Sequence, residues 1–184
     1  MASYALPELV LRNYFRAKDE NRPHMLERVF APEAELRIVN KSSTIAFPAL
    51  TSGRVAIADV LVRDFGRAYE NVYSFYLDRP VGALETFECP WLVVMSEKAS
   101  RVPRVGCGRY CWSFDHEATG LATRLMIMID EMQVLLPSDL GEVLEWVGRL
   151  SYPWCTRAAA IDSMPEQEAF ASLAKHLRGE HRSE

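Results

Sequence analysis

The feature that most restricts the possible folds is a change of hydrophobic period near residue 71. Beyond it the chain carries strand-like runs, rich in β-branched and aromatic residues, at positions 72–77, 91–98, 107–115 and 121–134. The segments between these runs contain the Gly, Pro and Asp residues typical of turns, and none of them has a helical pattern. The pattern therefore predicts antiparallel hairpins and disfavours a parallel sheet.

Helical periodicity precedes and follows these strands. Apolar spacing predicts helices over residues 7–21, 23–30 and 53–65, with a strand over residues 35–40. After residue 137, the sequence shows two capping-box patterns, from Asp139 to Glu142 and from Ser163 to Glu166, which predict a helical tail. We therefore expect an α+β fold with a helical extension.

Composition excludes several classes of function. The chain has 184 residues and a formal net charge of −4, which suits one domain with an appendage and argues against nucleic acid as a partner. The N-terminal segment shows no basic leader before a long apolar run, and no segment has the apolar length of a membrane span. We expect a cytoplasmic protein that does not enter a membrane.

The cysteines and short motifs give no support to a metal or cofactor. Cys89, Cys107, Cys111 and Cys155 form no CxxC pair, and no His lies beside them at the spacing of a zinc site. The sequence also lacks a phosphate-binding glycine loop, a serine nucleophile elbow and an HExxH motif. We predict no metal and no cofactor, which leaves cofactor-free chemistry or simple binding.

Three stretches of the chain occur in a familiar order. They are residues 14–36, which include Tyr14-Phe-Arg-Ala and Met25 to Leu36, then Ser52-Gly-Arg-Val-Ala-Ile57, and finally residues 108–130. Together they resemble the nuclear transport factor 2-like (cystatin-like) superfamily, and within it the SnoaL-like proteins. The resemblance implies a cone-shaped, curved antiparallel sheet wrapped around the N-terminal helices, with an apolar interior that holds a small molecule. We assign residues 1–137 to this domain. Residues 138–184 fall outside the resemblance, and we predict that they form a helical extension that packs on the same domain.

Strand alternation identifies candidate ligand-binding residues. Tyr110, Trp112 and Phe114 share one face of their strand, and Leu125 and Ile127 share one face of the next. If these faces point into the cone, the five side chains line its pocket. Plain core packing is the alternative, and we weigh it above a ligand-stacking role for the aromatic residues.

The candidate catalytic residues are Tyr14 and Asp130. Tyr14 matches the helix-one tyrosine that donates to the oxyanion in ketosteroid isomerase, but the positions of that enzyme's two aspartates correspond to about Ile38 and Tyr110. The resemblance therefore gives no support to steroid isomerisation by that mechanism. Asp130 follows a long apolar strand, where the family often carries an acidic residue, and we expect it to act as an acid or base; its alternative is a strand-end residue that reaches solvent. The four histidines lie in predicted turns, helix ends or the tail, which does not favour catalysis.

The opposite face of the last strand is also apolar. Met126 and Met128 alternate with the predicted inner residues, so something must cover them. We predict a homodimer through this outer face, with the tail helices as the rival cover.

Two hypotheses of function follow. The first is a protein that binds a small apolar or aromatic molecule and acts on it as an isomerase, dehydratase or cyclase. The second is a non-catalytic dimeric binding or assembly module with a closed aromatic core.

Overall fold

The computed structural model describes residues 6–179, and its elements follow the predicted order. The helices are α1 (Pro7–Asp19), α2 (Arg54–Ala58), α3 (Phe65–Ala68), α4 (Leu140–Gly148), α5 (Arg157–Asp162) and α6 (Glu168–Arg178), with 3-10 turns at Pro23–Arg28 and Pro137–Asp139 and a π-helical turn at Asp59–Asp64. The strands are β1 (Phe30–Asn40), β2 (Leu50–Ser52), β3 (Tyr69–Tyr76), β4 (Thr86–Glu97), β5 (Pro103–Phe114) and β6 (Ala122–Val134). No helix within the described range is long and apolar enough to span a bilayer.

The strands form one mixed sheet in the order β2-β1-β6-β5-β4-β3. The predicted antiparallel meander is confirmed from β3 to β6. One pair departs from it, because β1 lies parallel to β6. Between β1 and β6 the chain passes through β2, the α2–α3 helical segment and β3 to β5, and this long connection allows a parallel pairing that a short hairpin could not.

The sheet is bent by β-bulges. The register shifts between Phe30 and Glu35 in β1, and again where Cys107 and Gly108 of β5 pair with β6. Bulges increase local twist and bend the strands that carry them. The α+β architecture with a curved sheet around α1 is therefore confirmed.

Each face of the sheet has its own hydrophobic core. On β4, Trp91 and Val93 belong to the inner core with α1, whereas Leu92 and Val94 belong to an outer core. This separation follows from the two-residue repeat of a strand that is buried on both faces.

The outer core is formed by the C-terminal extension. Trp146 of α4 is fully buried there, and its indole N–H donates to the Ala160 carbonyl oxygen at 3.2 Å. Between α4 and α5 the chain runs along the free edge of β3, where the Tyr76 N–H donates to the Pro153 carbonyl oxygen and the Cys155 N–H donates to the Tyr76 carbonyl oxygen. The extension thus covers the outer face of β3 to β5 and protects the sheet edge.

Candidate ligand cavity

A small apolar cavity lies between α1 and the concave face of the sheet. Its volume is about 50 Å³, enough for a few water molecules. The wall is almost entirely apolar, and β1, β4, β5 and β6 each contribute inward-facing side chains. Residues of this wall include Tyr14, Lys18, Trp91, Val93, Tyr110 and Ile127.

Tyr14 places a phenol in this cavity wall. Its ring packs edge-on against Trp112, with centroids 5.1 Å apart, and no group among residues 6–179 pairs with its hydroxyl at hydrogen-bonding geometry. Burial raises the pKa of Tyr14, the Asp19 carboxylate adds to the rise, and the nearby Tyr110 hydroxyl partly offsets it. The hydroxyl therefore stays protonated and can donate to a ligand.

The predicted pocket residues divide into two groups. Tyr110 and Ile127 line the cavity. Trp112, Phe114 and Leu125 lie on the same inner face but are buried in the core, outside the cavity wall. Strand alternation predicted the inner face for these residues, but a two-residue period cannot distinguish a cavity wall from the packed end of the cone.

Asp130 does not join Tyr14. Its carboxylate accepts a hydrogen bond from Lys41 Nζ at 2.6 Å, and it borders a small crevice on the outer side of the sheet together with Cys107 and His176. Asp130 shares the strand parity of Met126 and Met128, a signal in the sequence that points to the outer face. The structure therefore does not bring the proposed acid–base pair together.

Histidines also lie away from the cavity wall. His24 and His116 are near the surface, His176 borders the outer crevice, and His181 is outside the described residues. Among residues 6–179, no group of three His, Cys, Asp or Glu side chains is arranged to hold a metal ion.

The sequence reasoning missed a buried ion pair beside the cavity. Lys18 Nζ lies 2.6 Å from the Asp19 carboxylate, and the two side chains are only 7% and 3% exposed. A signal was present, because Lys18 continues the buried stripe of Leu11, Tyr14 and Phe15 at helical spacing. A charged residue on such a stripe needs a partner, and here the next residue supplies it.

A surface groove adjoins the cavity. It has a volume of about 360 Å³ and is lined by the segment 44–48 and by helical residues that include Phe65. Ile45, Phe47 and Phe65 line both spaces. These side chains therefore form the partition between the cavity and solvent.

Comparison with known proteins identifies the fold. No family model and no curated protein matches the chain. An isomerase candidate from Rhodopseudomonas palustris superposes with a TM-score of 0.55 at 15% identity, over 81% of this chain and 100% of that one. A hypothetical protein from Catenulispora acidiphila with a ketosteroid isomerase-like fold, in complex with trimethylamine, gives 0.52 at 15% identity, over 67% and 85%. A computationally designed 17-OHP binder gives 0.53 at 14% identity, over 71% and 99%.

These similarities are at identities of 14–15%, which establish the fold alone. The curved mixed sheet and the helices packed against it match the fold of these neighbours. The chain therefore has the nuclear transport factor 2-like fold that its sequence resembles.

Proposed function

We propose that this protein binds a small, mostly apolar molecule inside the cone. The observation that carries the proposal is an apolar cavity whose wall holds the buried Tyr14 hydroxyl, which has no partner at hydrogen-bonding geometry among residues 6–179. Ligand sites are typically apolar cavities with a few oriented polar groups, and a buried polar group that lacks a partner is costly unless a ligand pairs with it. That the designed 17-OHP binder has the same fold is consistent with this use.

The cavity must enlarge to take more than a few atoms. Ligand pockets usually measure about 300–1,000 Å³, well above the volume of this cavity. Displacement of Ile45 and Phe47 would join the cavity to the groove outside, because both side chains line both spaces. We therefore expect ligands to enter past the segment 44–48.

Binding is better supported than catalysis. Isomerases, dehydratases and cyclases need a general base in reach of the substrate, supplied most often by His, Asp or Glu. Within residues 6–179, the cavity wall contains no carboxylate and no imidazole, and its lysine is already paired with Asp19. The small volume of the cavity favours a second candidate function, a non-catalytic module with a closed aromatic core. One experiment distinguishes this module from a binding protein.

The experiment is a thermal-shift titration with toluene, ethylbenzene and naphthalene. A binding protein should show a saturable rise in melting temperature, since a ligand that binds only the native state stabilises it. Val93→Phe should abolish the rise because Val93 lines the cavity. Val94→Phe is the matched control, because Val94 is on the same strand but faces the outer core. A chain that none of these probes stabilises would support the closed module.

We also propose a homodimer through the outer face of β1 and β6. Met126 and Met128 are half-buried, and the neighbouring Val39 is 40% exposed. The outer core of the extension does not include them, so this strip is free to meet a second copy. Sedimentation at micromolar concentration should give a dimer, and Met126→Lys should give a monomer. A monomeric wild-type protein would contradict the proposal.

A further inference from the structure

A buried polar network supports Lys18 at the edge of the cavity. The Asp19 carboxylate accepts hydrogen bonds from Lys18 Nζ at 2.6 Å, from the Ser74 N–H at 2.8 Å and from the Ser74 hydroxyl at 2.9 Å. It also accepts one from the Tyr152 hydroxyl at 3.2 Å, so the C-terminal extension reaches this network. Such a fully paired carboxylate fixes the position of the lysine that it holds.

The Lys18 ammonium retains one donor. An ammonium has three N–H donors, and Lys18 uses two of them on Asp19 and on the Ser74 hydroxyl oxygen, 2.6 Å away. No third acceptor lies within hydrogen-bonding distance among residues 6–179. The nitrogen lies 5.1 Å from the ring centroid of Phe65, which is itself part of the cavity wall, and Lys18 lines the same cavity. An oxygen of a bound molecule could therefore accept the remaining hydrogen bond.

Charge balance decides which acceptor fits. The Lys18–Asp19 pair is neutral as a unit, because each charge cancels the other at 2.6 Å. A carboxylate ligand would add an unbalanced negative charge to an apolar cavity and would lie close to Asp19, whereas an uncharged oxygen adds none. Hydrogen bonds from a charged donor to a neutral oxygen remain stronger than those between neutral groups.

We propose that the Lys18–Asp19 pair makes the cavity select uncharged molecules that carry an acceptor oxygen over the matching carboxylates. Such molecules include small ketones, esters and amides on an apolar body. Lys18 then determines specificity, because it donates to the ligand oxygen. Asp19 determines that uncharged ligands are preferred to carboxylates, because its carboxylate balances the charge of Lys18. This inference rests on the proposed function, since it requires that a molecule enter the cavity.

The test compares three probes of similar size by calorimetry: acetophenone, benzoate and ethylbenzene. Acetophenone should bind wild-type protein about tenfold or more tightly than ethylbenzene, as expected for one hydrogen bond to a charged group. Benzoate should bind more weakly than acetophenone. If acetophenone and ethylbenzene bind equally, or if benzoate binds best, the inference is wrong while the proposed function stands. If no probe binds, both fail.

Variants of the pair give a readout that a purely structural role would not produce. Asp19→Asn removes the balancing charge and should reverse the ranking, so that benzoate binds more tightly than acetophenone. Asp59→Asn makes the same change in net charge at an exposed ion pair with Arg63 and should leave the ranking unchanged.

A second variant guards against loss of folding. Lys18→Met alone leaves a buried carboxylate without a counter-charge, so the test uses the double variant Lys18→Met/Asp19→Asn. Its expected result is equal binding of acetophenone and ethylbenzene. An unchanged preference for acetophenone in the double variant would overturn the assignment to Lys18.

Discussion

Replacing Tyr14 with Phe should stabilise the ligand-free protein. Tyr14 is fully buried, and its hydroxyl has no partner at hydrogen-bonding geometry among residues 6–179. Burying a hydroxyl without a hydrogen bond costs about 1–3 kcal/mol in proteins. The substitution removes only that oxygen and keeps the ring contacts with Trp112 and Phe30. We expect the free energy of unfolding to rise by about 1 kcal/mol, the lower end of this range.

Tyr76→Phe is the matched control. Tyr76 is also fully buried, but its hydroxyl donates to the Leu11 carbonyl oxygen at 3.0 Å. Loss of a hydrogen bond of this kind costs about 0.5–1.5 kcal/mol. The same chemical change at two buried tyrosines should therefore have opposite signs, with a difference of about 2 kcal/mol between the variants.

Urea unfolding followed by tryptophan fluorescence measures this difference. In thermal unfolding it corresponds to a separation of about 4–8 °C between the two melting temperatures for a chain of this size. If Tyr14→Phe lowers the stability as much as Tyr76→Phe does, then the Tyr14 hydroxyl is paired in solution. That result would refute both the predicted gain and the availability of this hydroxyl to a ligand.

Other substitutions and conditions test the fold. Gly108→Ala should destabilise the protein by about 2 kcal/mol or more, because the added Cβ would lie 1.9 Å from the Met128 carbonyl oxygen. Gly141→Ala is the control, because an added Cβ there has nothing within 4 Å, and it should be neutral or stabilising. Urea unfolding measures both changes. Trp146→Ala should cost about 3–5 kcal/mol if the extension is integral to the fold, whereas Val55→Ala, 74% exposed, should change stability by less than about 0.5 kcal/mol. If the extension were only loosely attached, Trp146→Ala and Val55→Ala would change the stability by similarly small amounts. Burial raises the pKa values of the inner tyrosines above the usual value of about 10. Their stabilising contribution is therefore intact below about pH 10 and is lost as the pH rises further, because the unfolded chain ionises first. Urea unfolding at pH 9 and pH 11 should show this loss, and equal stability at both would contradict it.

Several features of the fold were readable from local pattern alone. The strand runs after residue 71 and their turns predicted the meander, because the two-residue period and turn chemistry act over a few residues. The same period assigned Tyr110, Trp112 and Phe114 to the inner face, where the structure has them. The resemblance to the nuclear transport factor 2-like superfamily then predicted the cone-shaped, curved sheet.

Local pattern was less reliable at element ends and on helix faces. Ser163 ends α5 instead of opening a capping box, and α6 begins only at Glu168. Leu6 and Leu9 fit the apolar helical spacing of the α1 segment, yet both are about half exposed. Helix ends are set by competing caps, and the buried face of a helix is set by what packs against it.

The sequence by itself determined the order of helices and strands and the inward face of the central aromatic residues, since both depend on periodicity. Only the tertiary structure decided the site. It put Asp130 beside Lys41 on the outer side of the sheet, and it buried Lys18 with Asp19 against Ser74, a residue 56 positions away. Contacts between residues so distant in sequence leave no periodic trace, because they are fixed by how the sheet bends around α1 and by how the C-terminal extension closes over its edge.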